Sequence, residues 1–82
     1  MMRGISRQIV GYDPKTESVA VEYMIPSDKW REVTDLVKHD EEDPEYIYAY
    51  PLGIDVADNL IRMLGQHGDE NLNYFLECHS PS

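Results

Sequence analysis

Residues 19–25 alternate without a break: Val19, Val21, Tyr23 and Ile25 fall on one side, and Ala20, Glu22 and Met24 on the other. A period of two sustained over seven residues marks a half-buried antiparallel strand. Ahead of it, Ile5, Ile9 and Val10 lead through Gly11-Tyr12-Asp13 into Asp13-Pro14-Lys15-Thr16. Pro14 presets φ for the second turn position, and the Asp13 carboxylate can accept from the backbone beyond it. The two stretches read as a β-hairpin, and the rest of the chain has to be built onto it.

Pro26 stops the strand, and Ser27 is suited to N-cap a helix running to about Lys38. Trp30, Val33, Leu36 and Val37 make its apolar stripe, expected against the sheet, with Lys29, Arg31, Glu32 and Asp35 opposite. A second helix is expected from Asp55, with Asp58 in a near-capping-box position. Val56, Leu60, Met63 and Leu64 line one face of it with Ala57 and Ile61 beside them, and Gly65 or Gly68 can end it in a left-handed conformation. Leu72, Tyr74, Leu76 and Cys78 alternate as a last strand with Phe75 on the other side, and 79–82 reads as a frayed tail. Tyr46, Tyr48 and Tyr50 alternate with Ile47 and Ala49, which fits either a short strand with the tyrosines on one side or a turn leading into a helix. The expected fold class is α+β: a small antiparallel sheet (N-terminal hairpin plus C-terminal strand) with two helices packed on one face, in the order β-β-α-α-β. An 82-residue chain of this kind is one domain with one small core, ordered over about residues 4–79.

Charge is unevenly divided. Residues 1–38 carry six acids and six bases, whereas residues 39–82 carry ten acids and a single base, Arg62, and so hold the whole net charge of −9. Self-repulsion of that size opposes compaction, and fold stability does not require it. It either presents a field to a cationic partner or forms a solvated surface that aids solubility. A balance this acidic disfavours anionic lipid and nucleic acid phosphate, so neither a membrane nor direct nucleic acid is expected as a partner. The N-terminus has no apolar core of a signal peptide, and Cys78 is the lone cysteine, so a reducing, cytoplasmic setting is expected.

The case for catalysis is thin. Cys78 and His79 are neighbours on a strand and point to opposite faces, so they cannot act as nucleophile and base. His39, His67 and His79 show no metal-ligand spacing, and the glycines form no phosphate-binding loop. Asp40-Glu41-Glu42-Asp43-Pro44-Glu45 is rich in hard oxygen ligands, but it lacks the alternation and central glycine of a calcium loop. No enzyme activity, no metal and no cofactor are expected. What stands out is the acidic connector beside the tyrosines. Asp40, Glu41, Glu42, Asp43 and Glu45 would steer a basic partner, Tyr46, Tyr48 and Tyr50 would supply contact area, and Asp55 and Asp58 would extend the acidic surface.

The Gly11-Tyr12-Asp13 turn, the Asp43-Pro44-Glu45-Tyr46 element and the closing Tyr74-Phe75-Leu76-Glu77-Cys78 strand resemble small acidic bacterial immunity proteins encoded beside polymorphic toxins, of the contact-dependent-inhibition or bacteriocin type. That resemblance implies a cytoplasmic, non-enzymatic inhibitor whose partner is a basic toxin domain, such as a nuclease. Two alternatives stand beside it. One is a nucleic-acid mimic acting against a host defence complex. The other is a structural or adaptor domain that homodimerises through an exposed hairpin edge or the tyrosine segment. Arg7, Glu22 and Glu77 are expected on edge strands, where charge limits uncontrolled pairing.

Overall fold

A computed structural model of the chain describes residues 6–79. Ile5 and residues 80–82, read above as part of the first strand and of a frayed tail, lie outside the described residues. The expected hairpin is present as β1 (Ser6–Tyr12) and β2 (Val19–Met24). After it come a 3-10 turn over Ser27–Lys29, α1 (Trp30–Leu36), β3 (Tyr50–Leu52), α2 (Ile54–Met63) and β4 (Asn73–His79). The protein is α+β with a four-stranded antiparallel sheet ordered β2-β1-β4-β3. Its fourth strand, β3, is an addition to the expected order.

Register sorts the side chains. Ile9 lies opposite both Tyr23 and Leu76, Gly11 opposite Val21 and Tyr74, and Tyr50 opposite Leu76. These residues share the face on which Val33 and Val37 and, from α2, Ala57, Leu60 and Ile61 complete the buried core. The hydrophobic effect of closing that one face is the main stabilising term. Among the described residues, no helix contributes to the opposite face, which carries Gln8, Val10, Tyr12, Glu22, Met24, Phe75 and Glu77.

Several boundaries differ from the sequence expectation. The pairing shifts by one residue between Gly11 and Tyr12, so Tyr12 meets Val19, and Val19 leaves the register of Val21 and Tyr23 to lie exposed. The turn is wider than Asp13–Thr16: Asp13 accepts from Lys15 through its carboxylate at 2.8 Å, and its own amide donates to the Ser18 carbonyl at 2.9 Å. Ser27 is not an N-cap, because Pro26 already accepts the first turn bond from Lys29. α1 ends at Leu36, where Val37 becomes extended; Val37 stays in the core while Leu36 is exposed. His79, assigned above to the tail, pairs with Ser6. Of the three residues expected on edge strands, only Glu22 is on one, since β1 and β4 are interior.

α2 starts one residue before Asp55, with Gly53 accepting from Ala57, so Asp55 sits in the first turn, where its charge complements the helix dipole, and makes no side-chain cap. Gly65 ends the helix at φ +79°, with Gly65 N–H donating to Arg62 and Gln66 N–H to Ile61. No atom lies within 4 Å of a Cβ added there, so Gly65→Ala costs only the left-handed backbone. The expected loss is about 1 kcal/mol, read as a fall of about 4–8 °C in the melting temperature. An unchanged transition would mean the glycine is not what ends the helix. No helix among the described residues is long and apolar enough to cross a membrane.

Candidate functional site

The connector between Val37 and Tyr50 is organised around one carboxylate. Asp43 is 3% exposed. Its Oδ1 accepts from the Ile47 amide at 2.7 Å, and its Oδ2 accepts from the Tyr48 amide at 2.8 Å and from the Tyr50 hydroxyl at 2.6 Å. Asp43 thus caps the Pro44-Glu45 turn, as the Asp-Pro spacing allows. Burial pushes its pKa up, but the Tyr50 hydroxyl, the Tyr48 and Ile47 amides and the nearby His39 ring outweigh it and hold the carboxyl below its ordinary value. Burial and the bond to Asp43 raise the Tyr50 phenol in turn.

Tyr46 follows the turn with φ +58°, a conformation that non-glycine residues hold only when packing imposes it. Its ring is 6% exposed and its hydroxyl donates to the Val37 carbonyl at 2.7 Å. Trp30, His39 and Tyr50 surround it with ring centroids 5.1, 5.3 and 5.6 Å away. Arg7 ties this cluster to the sheet: its guanidinium carbon lies 4.6 Å from the Trp30 ring centroid, and one of its N–H groups donates to the Glu45 carbonyl. Arg7 was absent from the sequence candidates, although its alternation with Ile9 places it on the core face. The sequence offered no sign that it would meet the connector.

These contacts correct the candidate surface. Asp43 and Tyr46 are withdrawn from it, because one is consumed by three internal hydrogen bonds and the other is part of the core. Tyr50 is half-buried, its hydroxyl accepting from the Asp40 amide while donating to Asp43. The three tyrosines do not share a face, since the turn and the positive φ at Tyr46 break the alternation. Asp40, Glu41, Glu42 and Glu45 remain exposed, beside Ile47 and Tyr48, 48% and 53% exposed. Ile47 is an exposed apolar side chain on this loop that sequence reasoning did not single out. Asp55 and Asp58 lie elsewhere, on a cleft they share with Asp69 and Glu70, and Asp58 forms an i,i+4 ion pair with Arg62 at 3.2 Å. Among the described residues, no group of three or more His, Cys, Asp or Glu is placed to hold a metal ion.

The arrangement is a short loop, fixed from below by a buried acid and an aromatic cluster, that offers four carboxylates and two apolar side chains to solvent. Chemically it can attract and hold a cationic surface. Residues 6–77 match the family model described as a domain of unknown function (DUF7683), and the chain belongs to that family. No curated protein and no solved structure matches it.

Proposed function

We propose that this member of the DUF7683 family is a non-enzymatic, cytoplasmic protein–protein inhibitor, an immunity-type protein that neutralises a basic toxin domain by charge-steered binding. The observation that carries this reading is the preorganised connector. Asp43 and Tyr46 hold the loop, so Asp40, Glu41, Glu42 and Glu45 are presented without the ordering cost a mobile acidic tail incurs on binding. Ile47 and Tyr48 supply the apolar contact that carboxylates alone lack.

The test begins with capture from the native host at low ionic strength, followed by a salt series. The expected result is one basic protein, released as salt rises. Replacing Asp40, Glu41, Glu42 and Glu45 together by Asn or Gln, with Asp43 intact, should slow association with that protein by about tenfold or more and flatten its salt dependence. An unchanged on-rate and salt slope would remove the connector as the recognition element. A second reading, mimicry of nucleic acid, draws on the convergence of Asp55, Asp58, Asp69 and Glu70 on one cleft. Capture of a nucleic-acid-handling complex that duplex DNA displaces would favour it over immunity.

A further inference from the structure

The sheet face that carries no helix has a cleft of about 380 Å³ at the hairpin-turn end of β1 and along β4. Tyr12, Phe75 and Pro14 are among its apolar walls, and Asp13, Glu17 and Glu77 supply carboxylates. Tyr12 and Phe75 meet edge to face, with centroids 5.6 Å apart and planes at 84°. The Tyr12 hydroxyl donates to Glu77 Oε2 at 2.5 Å, and Glu77 Oε1 lies 3.3 Å from His79 Nε2, so Asp13 and Glu17 are the carboxylates of the cleft with the freer oxygens. Among the described residues, no lysine or arginine lines this cleft; Lys15, close in sequence, lines a separate hollow with Asp69 and Leu72.

We propose that this cleft receives one arginine side chain of a basic protein partner. Its apolar walls suit the methylene stem, the rings suit a planar cation, and a guanidinium presents a fork of donors that can reach more than one carboxylate. An ammonium has neither the plane nor the fork, so lysine fits the cleft less well. The charge of the cleft selects a cation and its aromatic walls select the guanidinium. The biological sense of the site rests on the reading of a basic partner, but its binding is measured without that partner.

The probe is acetyl-Gly-Arg-Gly-amide, titrated into the full-length ¹⁵N-labelled protein at low salt, with the citrulline and lysine peptides as controls. The arginine peptide should give saturating shifts confined to the amides of Tyr12, Glu17, Phe75 and Glu77. Citrulline should give none, and lysine should bind several-fold more weakly. Glu17→Gln, at the exposed rim, and Phe75→Leu should each weaken arginine binding by roughly threefold. Glu17→Gln keeps the test decisive if Phe75→Leu fails to fold. Shifts that never saturate, shifts that spread over the acids of residues 39–70, or equal shifts from citrulline would each overturn the proposal. Such a failure leaves the connector reading intact, whereas an unchanged on-rate in the connector variant would leave this site intact.

Discussion

Replacing Asp43 by alanine lowers the melting temperature by about 10–15 °C, and replacing it by asparagine lowers it by about half as much. Alanine leaves the Ile47 and Tyr48 amides and the Tyr50 hydroxyl without their acceptor in a site closed to solvent. Asparagine keeps the shape but turns an NH2 group toward a donor. The same side chain gives stability an acid limb. Its folded pKa lies below the unfolded value of about 3.9, so between the two the unfolded chain binds more protons and stability rises with pH. That contribution is fully present above the unfolded pKa and is lost as pH falls through the folded one. Thermal melts from pH 7 to pH 3 should show the gap between the natural chain and Asp43→Asn narrowing below about pH 4. A constant gap would mean that the Asp43 charge does not stabilise the fold.

Gly11→Ala is the second large effect, and its cause is space. A Cβ at Gly11 would lie 2.8 Å from the Tyr74 ring, 2.9 Å from Val21 Cγ2 and 3.1 Å from Leu72 Cδ1. The first two neighbours are stiff, and β1 is paired on both sides, so the strand cannot retreat from them. The expected cost is about 2–3 kcal/mol, or roughly 10–15 °C in melting temperature. Val21→Ala, destabilising by itself, should recover part of that loss in the double variant, because it removes one of the obstructing methyl groups. Additive losses in the double variant would place the cost elsewhere than in this contact.

Within the middles of β4 and α2, the period of the sequence was a sufficient guide. Tyr74 and Leu76 alternate into the core as their spacing requires, and Leu60 and Ile61 fall on the buried side of α2. Short and aperiodic features were not legible. The tyrosine segment reads as either a short strand or a turn, and it is both in succession: a turn through Tyr46, then a three-residue strand that takes in only Tyr50 of the three tyrosines and contains a proline. Val19 follows its alternation in sequence but not in space, because the shift opposite Tyr12 is set by how the turn closes. Asp43 is one acid in a run of four, and only its place before Pro44 separates it from Asp40, Glu41 and Glu42. Tyr46, Tyr48 and Tyr50 look equivalent on paper. The turn sends the first into the core, leaves the second in solvent and draws the third over Asp43, since a buried acid needs donors and a nearby tyrosine provides one.

The two margins of the sheet are unlike. Pro51 has no amide hydrogen and sits in the three-residue β3, so that margin offers an incoming strand no donor at its centre. β2, at the other margin, presents six residues without a proline. Of the two edge strands, β2 therefore offers the longer unbroken run of backbone groups. In a pairing of two copies along β2, the outer margins of the joined sheet would be the three-residue, proline-containing β3 of each copy.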